Sequence, residues 1–250
     1  MALYKEVEKQ GNYLFKHRSN LPILILILGI IAHIHTQYST SFLVNTPYEN
    51  YFNIFALAVS FFGLAIRIYT VAYTPDRTSG RNTHGQVADS LNTTGIYSMV
   101  RHPLYVGNFF MWLGVGMLTQ NPYFIGFFVF LYWVYYERIM CAEEQFLVNK
   151  FGEEYSNWAD NTPAFILSFK NYCKPELSFC LKKVLRKEKD GFLAIFVAFY
   201  IFLNISNYIQ NGSFVLDSVG WNTFFIFGLI IYLILKFIKK YTKFFQVEGR

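Results

Sequence analysis

The stretch "YSMVRHPLYVGN", residues 97–108, joins a cationic pair to an apolar run. Arg101 and His102 come directly before Pro103, and proline is favoured at the first position of a helix, where its missing N–H costs nothing. The spacing therefore places Arg101 and His102 at a helix N-terminus, where backbone N–H groups and the helix dipole attract an anion. Tyr105 lies one turn further on, on a face that can look back toward His102. A ligand with a carboxylate and an aromatic base suits that corner. An Arg-His pair anchored at a membrane interface is the alternative.

A second set of polar side chains sits in "YYERIMCAEEQFLVNKFGEEYSNWADNTPAFIL". Glu137 and Glu144 are seven apart and share a helical face, with Arg138 and Met140 beside them, and Glu143 and Glu144 continue the helix outward. Carboxylates opposite a histidine and arginines can bind a ribose or a cation, including a sulfonium. A charged helix end at an interface is the plainer reading. Arg67, in "GLAIRIYTVAY", is an ionisable group within an apolar run; it either snorkels to the interface or serves a polar pocket. Between these pieces runs "TPDRTSGRNTHGQVADSLNTTGIYSMVR", rich in Gly, Asn, Thr and Ser, which reads as a long loop. Loops of this length are usually disordered or functional, and this one carries Arg77, Arg81, His84 and the hydrogen-bonding run 89–92.

The surrounding chain supplies the frame. Of 250 residues, 54% are hydrophobic and only 15% charged, which excludes an ordinary soluble domain and points to a polytopic membrane protein. Six apolar segments stand out, at about 21–44, 51–74, 103–119, 122–140, 191–209 and 219–236. Each reaches or approaches the roughly 20 residues that a helix needs to cross a bilayer. Only "QNP" separates the third from the fourth, which predicts a tight helical hairpin. All of the 22 Lys and Arg except Arg67 fall on one side of this arrangement. The expected fold is thus an all-α polytopic bundle of about six transmembrane helices with both termini cytoplasmic. The same asymmetry accounts for the net charge of +6 through attraction to anionic head groups, with no need for nucleic acid. Cys141, Cys173 and Cys180 lack metal-ligand spacing and read as reduced thiols. No metal site, required protein partner or removable signal peptide is expected.

In order and spacing, "TTGIYSMVRHPLYVGN", an apolar hairpin, "AEEQFLVNKFGEEYSNW" and "TPAFI" resemble the isoprenylcysteine carboxyl methyltransferase and phospholipid methyltransferase superfamily. The resemblance covers about residues 63–167. It implies an integral membrane enzyme that binds S-adenosylmethionine on the cytoplasmic side and acts on a lipid within the membrane. Carried over position by position, it implies cofactor contacts from Asp89, Ser90, Leu91, Asn92, Tyr97, His102, Pro103, Leu104 and Tyr105, and from Glu143 or Glu144. Gly114 and Gly116 resemble a Gly-x-Gly of the phospholipid branch, although small residues in a helix hairpin are more often packing surfaces. The chain divides on this basis into an N-terminal segment with the first span (1–50), a methyltransferase core (51–170) and a C-terminal segment with two added spans (171–250).

The acceptor follows from charge. A protonated amine needs a base and is repelled by arginines, whereas an anionic phosphate oxygen needs only positioning, which arginine forks provide. Arg67, Arg81, Arg101 and Arg138 are the residues expected to position it. Where the isoprenylcysteine branch carries His before "LVTTGPY", this chain has Asp89 before "SLNTTGIY", which points away from prenylated proteins. The loop "GRNTHGQVADSLNTTGIYS" most resembles the bacterial branch that methylates the 1-phosphate of lipid A, implying an inner-membrane enzyme whose active site faces the cytoplasm. Isoprenylcysteine carboxyl methylation and phosphatidylethanolamine N-methylation are the alternatives. A sterol-reductase-like NADPH enzyme and a non-enzymatic lipid-binding protein fit the short chain and its glutamate pair less well.

Overall fold

The computed structural model describes residues 2–39, 44, 46–75, 86–214, 218–247 and 249. Among them are eight α-helices: α1 (Leu3–Lys16), α2 (Asn20–Tyr38), α3 (Glu49–Tyr73), α4 (Pro103–Met117), α5 (Pro122–Phe151), α6 (Glu153–Asp160), α7 (Leu181–Asn211) and α8 (Val219–Tyr241). A single 3-10 turn, Ile96–Ser98, leads into α4. The all-α membrane bundle expected from the sequence is the fold observed.

All six apolar segments are helical, but five helices, α2, α3, α5, α7 and α8, are long and apolar enough to cross a membrane. The sixth, α4, has 15 residues. At about 1.5 Å per residue it covers about 22 Å, short of the roughly 30 Å hydrocarbon core. Its far end turns sharply into α5 through Gln120, whose φ of 52° is left-handed, and Asn121, whose side chain accepts from Tyr123 N and Phe124 N at 3.0 Å each. That is the hairpin foreseen from "QNP".

Small residues let α3 and α4 touch along their backbones. A Cβ on Gly63 would sit 2.4 Å from Gly107 O, and one on Gly114 would sit 2.1 Å from Ser60 Oγ. Ser60 Oγ also donates to Met111 O at 3.0 Å. In hydrocarbon, where apolar burial drives helix association weakly, such close contact supplies the van der Waals packing that holds helices together. Gly114 is therefore a packing residue, and α3 with α4 forms one wall of the site.

Two elements exceed what the hydrophobic pattern indicated. The N-terminal segment forms α1, which lies against α5, where a Cβ on Gly11 would meet Arg138 O at 2.0 Å. In turn, α7 begins at Leu181, ten positions before the apolar segment expected at 191, and its charged first turns are folded inward. Lys183 is buried there and donates to Thr74 O at 2.6 Å, Thr74 Oγ1 at 3.1 Å and Pro75 O at 3.1 Å. This places a cation on the carbonyl end of α3, where the helix dipole favours it. At the other end of the bundle, His33 Nε2 lies 3.0 Å from Phe202 O and 2.9 Å from Ser206 Oγ, joining α2 to α7.

Candidate active site

The site begins where α4 begins. Arg101 N donates to Pro163 O at 2.9 Å, His102 N to Ala164 O at 3.2 Å, and Ser168 N to Met99 O at 2.9 Å. The "TPAFI" stretch is thus a backbone splint that fixes residues 99–102. Pro103 occupies the first turn, and His102 caps it with φ −120° and ψ 60°. From that position the His102 ring faces α5. Nε2 lies 2.9 Å from Glu144 Oε1, and Nδ1 lies 3.6 Å from Glu143 Oε2. Tyr105, one turn on, donates its hydroxyl to Glu143 Oε1 at 2.7 Å and stacks on the His102 ring with centroids 5.8 Å apart.

Burial alone would push the His102 imidazole down. The negative charge of Glu143 close by and the hydrogen bond to Glu144 outweigh that and leave its pKa raised above the usual histidine value. The protonated ring can donate from both nitrogens, one toward each glutamate.

Behind this pair, Arg101 Nε lies 2.9 Å from Glu144 Oε1 as an ion pair without hydrogen-bond alignment, while Nη1 donates to Ala159 O at 2.7 Å. In front of it, Arg18 Nη1 approaches Glu143 Oε1 at 3.9 Å, and its guanidinium lies 4.1 Å over the Phe15 ring. The glutamates therefore have different places: Glu143 lines the cavity, and Glu144 holds Arg101 and His102 from behind.

The cavity has a volume of about 560 Å³. One face of α4 leads into it: Leu104, Tyr105, Asn108 and Trp112 recur at helical spacing from the charged lip toward membrane depth. Opposite Asn108 stands Arg67. Its Nε and Nη2 donate to the two oxygens of Glu188 at 2.7 and 2.8 Å, and Nη1 donates to Asn108 Oδ1 at 2.7 Å. Arg67 is thus a pocket residue, held short of the interface.

Of the cofactor positions expected from the sequence, Tyr97, His102, Pro103, Leu104, Tyr105 and Glu143 line the cavity. Asp89, Ser90, Leu91 and Asn92 do not; Asp89 and Ser90 are exposed, and the same loop presents Gln86, Val87 and Ala88 instead. The polar run was the visible signal, but the three residues before it line the cavity. Lys150 Nζ donates to Ala88 O and ties this strip to the end of α5. Of the acceptor-positioning arginines, Arg67 and Arg101 line the cavity. Arg138 does not: Nε donates to Gln10 Oε1 at 2.9 Å and Nη1 to Val134 O at 2.8 Å, which turns it against α1. Glu137 is exposed. Arg81, with Arg77 and His84, lies outside the described residues.

Sequence reasoning missed Phe15, Arg18, Asn108, Lys187 and Glu188. Asn108, polar within an apolar helix and on the His102–Tyr105 face, carried a signal. Glu188, inside the charged run "LRKEKD", carried none.

Residues 51–154 match the model of the phospholipid methyltransferase family. A protein-S-isoprenylcysteine O-methyltransferase of Schizosaccharomyces pombe is 40% identical over 77 residues, covering 30% of this chain and 32% of that protein. A nickel-cobalt-cadmium resistance protein of Alcaligenes xylosoxydans xylosoxydans is 36% identical over 81 residues, 32% of this chain and 38% of its own length. The Saccharomyces cerevisiae isoprenylcysteine O-methyltransferase is 37% identical over 62 residues, 25% of this chain and 26% of its own. This chain spans about a third of the length of the curated relatives it matches. No solved structure matches. The matched region holds α4, α5 and nearly all of α3, whereas Phe15 of α1 and Lys187 and Glu188 of α7, which also line the cavity, lie outside it.

The residues present fit S-adenosylmethionine. The cavity falls within the ~300–1,000 Å³ of small-molecule sites. Glu143 offers a carboxylate to a ribose or a cation. Phe15, Tyr97, Tyr105 and Tyr136 line the same space with aromatic faces suited to a base or a sulfonium.

Proposed function

We propose that this chain is an integral membrane methyltransferase that uses S-adenosylmethionine and methylates an anionic oxygen on a membrane-borne acceptor. The observation that carries it is a continuous cavity lined from the Glu143–His102 lip to Arg67 and Trp112, with a polar end suited to the cofactor and an end within the apolar helices suited to a lipid-borne acceptor.

When bound, the cofactor supplies a methyl group whose bond to sulfur breaks, leaving the electron pair on sulfur, as the acceptor oxygen forms the new C–O bond. Glu143 and Tyr105 hold the cofactor end, and protonated His102 fixes the carboxylates that do so. Arg18 and Phe15 cover the cavity from α1 and exclude water, which keeps electrostatic interactions inside it strong. Arg67 and Arg101 position the acceptor. An acceptor that arrives anionic gives up no proton, so the site needs no general base. The one-sided distribution of Lys and Arg supports a cytoplasmic side for the lip and both termini.

Each arginine on the cavity faces a carboxylate: Arg18 with Glu143, Arg67 with Glu188, Arg101 with Glu144. That pairing favours a singly charged acceptor over a dianion. A carboxylate on a lipidated cysteine fits, and the names of the yeast relatives agree with it. A lipid phosphate, including the 1-phosphate of lipid A, is the second reading, favoured by the resemblance of the loop before α4. The test is transfer of tritiated methyl from S-adenosylmethionine, in nanodiscs, to a farnesylcysteine analogue, a lipid A precursor and phosphatidylethanolamine. Label in either anionic acceptor supports the proposal and chooses between them. Label in the amine lipid alone defeats it.

A further inference from the structure

An arginine within an apolar helix ordinarily extends its flexible chain to the nearer interface. Arg67 is prevented from doing so by two residues on different helices. Glu188 takes Nε and Nη2 in a bidentate grip at 2.7 and 2.8 Å, and Asn108 takes Nη1 at 2.7 Å. The side chains of Arg67 and Glu188 are 14% and 5% exposed, so the pair is set in the cavity wall rather than on an outer surface. A guanidinium has five N–H donors, and three are used here by described residues. The remaining donor capacity lies on Nη1 and Nη2, and Arg67 lines the cavity.

We propose that Glu188 and Asn108 are positioning residues that lock Arg67 as the group recognising the acceptor oxygen, so that α7 carries acceptor specificity. This rests on the methyl-transfer reading above. The matched family region ends at residue 154, so Glu188 belongs to a part of the chain that the family model does not describe. Locking changes what Arg67 can do. With its charge balanced by Glu188, it recognises an oxygen by hydrogen-bond direction rather than by net charge. An oxygen of a carboxylate or phosphodiester fits that arrangement, and a freely hydrated dianion gains little from it. Neighbouring Lys187 also lines the cavity, so the same helix turn brings a cation to that end.

The experiment uses the full chain in nanodiscs and two readouts. The first is equilibrium binding, without cofactor, of a tritiated farnesylcysteine analogue and of a tritiated dialkyl phosphate. The second is steady-state methyl transfer. Glu188→Gln should raise the acceptor KM about tenfold or more while leaving the dissociation constant of S-adenosylmethionine within about twofold. Glu188→Asp, which keeps the charge, should recover most of the loss and also serves if the Gln variant does not fold. Arg67→Ala combined with Glu188→Gln should be no worse than Arg67→Ala alone, because one residue acts through the other. Unchanged acceptor KM in Glu188→Gln and Glu188→Asp, or additive losses in the double variant, would overturn the proposal. If the wild type binds acceptor in an Arg67-dependent manner but transfers no methyl group, the methyl-transfer reading fails and the recognition site stands. If it transfers methyl with Glu188 irrelevant, the reverse holds.

Discussion

His102, at the start of α4, and Glu144, 42 positions later in α5, meet at 2.9 Å behind the lip of the cavity. The two motifs that resemble the methyltransferase superfamily are therefore one site, joined by an imidazole that also approaches Glu143. Replacing His102 with Ala removes a charged-group hydrogen bond to Glu144 and a positive neighbour of Glu143. Such bonds are worth roughly 1.5–3 kcal/mol, so the affinity for S-adenosylmethionine should fall by an order of magnitude or more. Calorimetric titration of the variant checks this, and unchanged affinity would remove His102 from the site.

The raised pKa of His102 has a pH signature. A group that binds its proton more tightly in the folded state stabilises that state fully below its unfolded pKa of about 6.5, and the contribution disappears as pH rises through the folded value. The difference in thermal midpoint between the wild type and His102→Gln should be largest in mildly acidic buffer and shrink on raising the pH. A difference that grows with pH would mean that the ring is held neutral.

Gly114 and Gly126 offer a paired test of packing. A Cβ at Gly114 meets Ser60 Oγ at 2.1 Å and Ala56 O at 2.3 Å, whereas one at Gly126 meets nothing within 4 Å. Gly114→Val should cost about 1–3 kcal/mol by forcing α3 and α4 apart. Gly126→Ala should be neutral or stabilise by up to about 1 kcal/mol, because alanine restricts the unfolded chain more. Thermal unfolding in detergent reads both.

Gly11 tests the cover. The backbone of α1 approaches Arg138 O so closely that Gly11→Leu cannot keep the contact. Tyr135 OH donates to Leu14 O at 3.2 Å and Gln86 Nε2 to Asn12 Oδ1 at 2.9 Å, so displacing α1 also releases Phe15, Arg18 and the strip at Gln86. Cofactor affinity should drop severalfold, with the melting of the remaining bundle little changed. Retained affinity would show that α1 is a passive attachment.

The spans were legible because hydrocarbon admits a narrow choice of backbone and leaves long apolar runs as its trace. The start of α4 was legible for a local reason, since Pro103 fixes where a helix can begin. Arg67 was visible as a charge in the wrong solvent, but its partner was not. Glu188 sits among six other charged residues between Lys182 and Asp190, of which Lys183 and Lys189 are buried with it, and only tertiary packing decides which of these charges turn inward. The same limit applies to the loop before α4, where 86–88 rather than 89–92 line the cavity, because a loop's polar composition does not say which residues its backbone presents. Arg138 illustrates the converse: its position beside Glu137 suggested the site, and the close approach of α1 claimed it.

The cavity between α1, α3, α4, α5 and α7 is proposed to bind S-adenosylmethionine. Calorimetric titration of the detergent-solubilised chain tests it most directly. The expected result is saturable binding near one equivalent, weakened about tenfold or more in Glu143→Gln and His102→Ala and little changed in Arg138→Ala. Absence of saturable binding, or equal weakening in all three variants, would contradict it.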